Sequence, residues 1–198
     1  MISSRTKSVS LSERHAMAVE DVAQRMVRIV GALDAAQLPY ALVGGQAVAL
    51  WVATVDEAAT RITKDVDIMI RREDLPAVRK AALTVEMDYF EVLGVGMLLE
   101  RDDPNPRRAV HLLWAGQKVR PEYPLPSPTM SEIELLENGR AVVTLAGLVR
   151  MKLMSNRDHD RTHLRDMIDV DLVTRELLAT LPAELALRLD ALLTDAGR

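Results

Sequence analysis

The run Tyr40-Ala-Leu-Val-Gly-Gly-Gln-Ala-Val-Ala-Leu50, followed after a short connection by Thr63-Lys-Asp-Val-Asp-Ile-Met-Ile70, constrains the fold more than any other part of the chain. Ala41 to Val43 reads as a short strand, Gly44-Gly45 as a tight turn, and Gln46 onward as the start of a helix. The second segment reads as a strand with aspartates at i and i+2, whose side chains share one face roughly 6–7 Å apart. Two carboxylates held that way repel each other unless a cation lies between them. Glycines let backbone N–H groups approach an anion, and a helix start adds a dipole that favours phosphate. The spacing therefore predicts a phosphate cradle beside a divalent-cation site. It is not a Rossmann fingerprint, because the third glycine of G-x-G-x-x-G is missing, and it is not a P-loop, because no Gly-Lys-Ser/Thr follows.

A phosphate cradle next to paired carboxylates is what nucleotidyl transfer from a nucleoside triphosphate requires. Leu42-Val-Gly-Gly45 and Asp65-Val-Asp67 resemble the hydrophobic-Gly-Gly/Ser and Asp-x-Asp signature of the DNA polymerase β-like nucleotidyltransferase superfamily. Val149-Arg-Met-Lys-Leu-Met-Ser-Asn-Arg-Asp-His-Asp160, continuing through Leu164-Arg-Asp166, is similar to the AbiEii-type branch, which includes minimal nucleotidyltransferases and toxins of toxin–antitoxin pairs. The likeness spans roughly residues 38 to 172, and the order and spacing of the motifs make the combination specific where each alone is weak.

The resemblance implies an α/β (α+β) chain: a mixed twisted sheet of the nucleotidyltransferase fold with flanking helices and a C-terminal helical lobe. It implies Mg²⁺- or Mn²⁺-dependent transfer of a nucleoside monophosphate from a nucleoside triphosphate to an acceptor hydroxyl. The acceptor would be RNA such as tRNA, a protein side chain or a small molecule such as an antibiotic, and a toxin role would bring an antitoxin as partner. The alternative is a catalytically impaired member that binds nucleotide or a partner and regulates it.

Asp65 and Asp67 are the expected metal ligands, since a hard divalent ion prefers carboxylate oxygens and keeps waters and phosphate oxygens in its other positions. The competing explanation is a solvated strand end with two surface acids. Gly44 and Gly45 would hold phosphate through backbone amides, or would simply make a tight turn. Lys152, a mobile point charge, and Arg157, a planar fork, resemble the family's phosphate-holding pair; an amphipathic helix with solvated charges is the alternative. Arg61 and Lys64 flank the acidic strand and would lean toward triphosphate or screen the aspartates.

His159, His163 and Asp166 share a helical face, but without the glutamate of a zinc-protease motif, so salt bridging among Asp158, Arg161 and Arg165 is the better expectation there. Ser127 and Ser155 have no histidine–carboxylate context for a hydrolase triad. His111 departs from the superfamily pattern, whose third carboxylate comes from a neighbouring strand. Here the matching segment is Val110-His-Leu-Leu-Trp114. An imidazole can ligate a metal or accept a proton but brings no negative charge; Glu100, Asp102 and Asp103 are the candidate substitutes.

Helices are expected over about Ser12 to Gln37, Ala47 to Ala53, Glu73 to Leu83, Leu145 to Ser155, Asp158 to Thr174 and Pro182 to Leu193. Further strands are expected at Tyr89 to Leu93, Gly96 to Glu100, Ala109 to Trp114 and Arg140 to Thr144. Prolines 121, 124, 126 and 128 make an extended strap. This order divides the chain into an N-terminal helix (1–37), a core (38–144) and a helical lobe (145–198). With 198 residues, 48% of them hydrophobic, the chain is long enough to bury a real core, and with aromatics at 3% that core must rest on aliphatic side chains and methionine. A net charge of −4 argues against broad adhesion to nucleic acid but not against a local basic groove. The absence of cysteine excludes disulfides and thiolate-held metal. The polar stretch from Ser3 to Ser12 is expected to fray and carries no signal-peptide apolar run, and no stretch approaches the roughly 20 apolar residues that span a bilayer. A cytoplasmic location without membrane attachment is the expectation.

Overall fold

The computed structural model describes residues 10–61 and 63–198; the expectation that Ser3 to Ser12 frays lies almost wholly outside them. Seven strands form one mixed sheet: β1 (Ala41–Val43), β2 (Val66–Ile70), β3 (Met87–Val92), β4 (Val95–Glu100), β5 (Val110–Trp114), β6 (Ile133–Leu135) and β7 (Ala141–Val143). Their spatial order is β3-β4-β5-β2-β1-β7-β6, which puts the aspartate-bearing β2 at the centre. β2 runs antiparallel to β1 and parallel to β5, while β7 runs parallel to β1. This is the mixed α/β architecture that the order of elements predicts.

The helices are α1 (Leu11–Ala35), α2 (Gly44–Ala53), α3 (Leu75–Leu83), α4 (Leu145–Ser155), α5 (Asp158–Asp169) and α6 (Ala183–Asp195). On α1, Val22, Ile29, Val30 and Leu33 are buried at the helical spacing read from the sequence. α1 packs against α3 and β2, whereas α2, α4 and α5 pack on one another and α6 closes on α4 and α5. The Trp51 indole of α2 donates to the Val143 carbonyl of β7 at 3.0 Å, tying that helix to the far half of the sheet. Thr144 caps α4 by accepting from the Gly147 N–H at 3.3 Å, and the left-handed Asn156 ends it. Among the described residues no helix is long and apolar enough to cross a membrane.

Most boundaries shift by a residue or two from expectation, and the following differences bear on the site or the sheet. α2 begins at Gly44 rather than Gln46, so the glycine pair belongs to the helix start itself. β2 begins at Val66, leaving Asp65 just before the strand and Asp67 inside it. α5 stops at Asp169, not Thr174, because Asp171 turns left-handed (φ 58°) and the Leu172 N–H closes back on the Met167 carbonyl at 3.0 Å. The three-residue edge strand β6, largely exposed and lacking strong periodicity, gave no sequence signal. The proline strap lacks strand or helix, as expected, but its ends are pinned: the Gly116 N–H donates to the Pro128 carbonyl and the Ser127 N–H to the Gln117 carbonyl, each at 2.9 Å.

Candidate active site

The central strand delivers Asp67 to the mouth of an open cavity of about 400 Å³, within the roughly 300–1,000 Å³ of small-molecule sites. Register fixes its neighbours. Val43 lies opposite on β1 and His111 opposite on β5, so the Asp67 and His111 side chains emerge on the same face. His111 Nδ1 lies 3.4 Å from Asp67 Oδ1. The hydrogen bond that the ring donates to Asp67 raises the imidazole pKa against the effect of burial, and the charges of Asp67 and Asp65 add to the rise.

Gly44 follows Val43 with φ +66°, and a Cβ there would overlap the Asp67 carboxylate. Only glycine combines that left-handed conformation with so close an approach. The glycine pair is thus shaped around Asp67 as well as opening a helix start toward the cavity. Gly44, Gly45, Asp65, Asp67, His111, Lys152 and Arg157 all line this cavity; Lys64 does not, and its side chain is exposed.

Lys152 is anchored rather than mobile: its side chain is 7% exposed and its Nζ donates to Asp160 Oδ1 at 3.1 Å. Asp160, fully buried, is the hub of the wall formed by α4 and α5. It also accepts from Ser155 Oγ at 2.7 Å, Arg157 Nε at 2.8 Å and the Arg157 N–H at 3.3 Å. Burial pushes its carboxyl up, but the Arg157 hydrogen bond, the Lys152 charge and the bonds from Ser155 and Lys152 prevail and hold it at about 2. Arg157, at 58% side-chain exposure, keeps most of its guanidinium toward solvent and the cavity. Asp160 was not singled out from the sequence, although its place three residues after Arg157 at the helix start is the spacing of a side chain that caps an N-terminus.

The remaining candidates separate. Glu100 is bound by Arg28 and by Arg108 (3.1 Å), and Asp103 pairs with Arg108, beside a different, smaller cavity that Asp102 also lines. None of the three supplements Asp65 and Asp67. Asp166 pairs with Arg61 at 2.7 Å, Arg161 pairs with Asp158, and His163 turns to Gly45, so the helical face read as a remote zinc option is divided. Ser127 Oγ donates to the Trp114 carbonyl at 2.5 Å. Thr63, Arg120, Tyr123 and His163 line the cavity without having been picked out as part of the nucleotide site; their proximity depends on the strap and α5 folding back over the sheet.

Among the described residues no group of three His, Asp or Glu side chains stands ready to hold a metal. The oxygen donors of Asp65 and Asp67, both on the cavity wall, suit Mg²⁺ or Mn²⁺ provided that a bound nucleotide fills further positions.

The sheet order and the glycine–aspartate juxtaposition define a protein with the nucleotidyltransferase fold. No protein-family model matches the chain, and no curated protein does. Solved structures do. The crystal structure of ANT(2")-Ia in complex with adenylyl-2"-tobramycin aligns with a TM-score of 0.51 at 14% identity, over 90% of this chain and 99% of that one. The solution structure of the antibiotic-resistance factor ANT(2'')-Ia aligns with a TM-score of 0.50 at 16% identity, over 91% and 93%. An antigenic nucleotidyltransferase-like protein from Paracoccidioides brasiliensis aligns with a TM-score of 0.46 at 20% identity, over 76% and 75%.

Proposed function

We propose that this chain transfers a nucleoside monophosphate from a nucleoside triphosphate to an acceptor hydroxyl. The observation that carries the reading is Asp67 on the central strand, fitted against Gly44 and facing the same cavity as Asp65, His111 and Arg157. Asp65 and Asp67 would hold Mg²⁺ or Mn²⁺, which supplies charge neutralisation at the phosphates. The α2 N-terminus at Gly44-Gly45 offers amide donors to phosphate. Arg157 meets phosphate charge directly, and Lys152 lends its field from within the wall while anchored to Asp160. The acceptor oxygen bonds to the α-phosphorus, the bond to the bridging oxygen breaks, and pyrophosphate leaves. His111, beside Asp67 on the cavity wall, would take the acceptor's proton. The core (38–144) and the helical lobe (145–198) are the two walls of the cleft in this reading.

Full-length protein incubated with each α-³²P-labelled nucleoside triphosphate, Mg²⁺ or Mn²⁺ and a cell extract should label an acceptor. The Asp65→Asn/Asp67→Asn double variant should not. Equal labelling by the folded double variant overturns the assignment.

One observation favours a second reading, a nucleotide-binding regulator without transfer activity: the residue beside Asp67 on β5 is His111 rather than a carboxylate, and Glu100 is bound elsewhere by arginines. Nucleotide binding with no labelled acceptor in any extract would select it. Membership of the AbiEii-type branch and a toxin role rest on the Val149-to-Asp166 motif; growth arrest on expression, relieved by a neighbouring gene's product, tests them.

A further inference from the structure

The two glycines divide the cavity floor. A Cβ on Gly44 would meet Asp67, whereas one on Gly45 would lie 2.5 Å from Thr63 Oγ1 and 3.6 Å from His163 Cε1. A phosphate chain laid along the pair, with its reacting phosphate at the Asp67 end, therefore runs out toward Thr63 and His163. Both have hydrogen-bonding capacity to spare. The His163 ring lines the cavity; its Nδ1 is buried away from it without a partner, which leaves Nε2, engaged by no hydrogen bond among the described residues, as the nitrogen a ligand can reach, and no hydrogen bond engages the Thr63 hydroxyl among them either. Burial, reinforced by the Lys152 charge, lowers the His163 pKa to about 4, so the ring is neutral near pH 7 and can present an Nε2–H donor to the cavity.

We propose that Thr63 and His163 form the seat of the distal phosphates, binding the pyrophosphate end of the nucleoside triphosphate opposite the Asp65–Asp67 end. The proposal rests on the nucleotidyl-transfer reading and extends it to two residues that play no part in the family motifs. A hydroxyl and an uncharged imidazole there hold the leaving group by hydrogen bonds without adding fixed charge, which favours its release after transfer. His163 rides on α5 and Gly45 on α2, so the seat joins the helical lobe to the glycine motif.

Calorimetric titration of the full chain with inorganic pyrophosphate and, separately, with nucleoside monophosphates, both in Mg²⁺, tests this. Thr63→Val removes the hydroxyl at nearly constant volume, His163→Phe keeps a ring without nitrogens, and His163→Gln restores a donor and an acceptor. Pyrophosphate affinity should fall about 10- to 100-fold in Thr63→Val and His163→Phe, the loss of one hydrogen bond to a charged ligand. It should recover in His163→Gln, with monophosphate affinity within about twofold throughout. Wild-type-like pyrophosphate binding in both variants overturns the proposal, and so does an equal loss of monophosphate. A wild-type chain that binds neither ligand refutes the nucleotidyl-transfer reading itself.

Discussion

Replacing Asp160 with asparagine should be among the most damaging isosteric changes in the molecule. The variant leaves the Lys152 ammonium, 7% exposed, without its counter-charge, and an amide cannot satisfy Lys152, Ser155 and both Arg157 donors at once. Breaking one side of a buried ion pair costs about 3–5 kcal/mol. The exposed Arg157 guanidinium can turn to water and contributes little of this. A Lys152→Met/Asp160→Leu double variant, which removes both charges, should regain much of the loss. It would retain a deficit of about 1 kcal/mol for the Arg157 N–H that loses its acceptor, since the Ser155 hydroxyl can turn to the Met151 carbonyl. The sign with pH follows from the depressed carboxyl. Stability from an ionised Asp160 is fully present above about pH 4 and lost as pH falls through about 2, so the gap between wild type and Asp160→Asn should narrow on acidification. Urea denaturation followed by the fluorescence of Trp51 and Trp114, at pH 7 and in acid, measures all three proteins. An Asp160→Asn midpoint within about 1 kcal/mol of wild type at pH 7, or a double variant no more stable than the single one, would refute the hub.

Gly44→Ala forces a β-carbon into a left-handed position against Asp67 and should destabilise the fold by about 1–3 kcal/mol while weakening nucleotide-dependent Mn²⁺ binding; thermal melts with electron paramagnetic resonance of Mn²⁺ check both. His111→Asp places a third carboxylate beside Asp67 on the cavity wall; it should lower the melting temperature without metal, through like-charge repulsion, and raise the gain in melting temperature on adding Mg²⁺ above that of wild type. A low melting temperature that metal leaves unchanged would instead place the new carboxylate out of reach of the ion. The depressed His163 pKa has its own pH window: its neutral form contributes fully above about pH 6.5, and that contribution is lost as pH falls through about 4. His163→Gln should flatten the stability profile between those values, read from melting temperatures across the range.

The sequence by itself determined the elements that short-range rules control. The apolar spacing of α1, the strand–glycine–helix passage at Val43 to Ala53, the strands β3 to β5 and the helix α4 follow from local periodicity and turn chemistry. The glycine and aspartate motifs also marked where the cavity would open, since motif residues are close in sequence and their geometry is set within one strand or turn. Tertiary structure alone decided who faces whom. That His111 pairs with Asp67 is a matter of strand register between segments far apart in the chain. That Glu100 is spent on Arg28 and Arg108 and that Lys152 is anchored by Asp160 are outcomes of packing. Thr63 and His163 meet at Gly45 only because α5 lies on α2. A single sequence carries strong signals for what a residue's near neighbours impose and almost none for contacts between distant segments, because those contacts are fixed by the whole sheet and its helices settling into one close-packed arrangement.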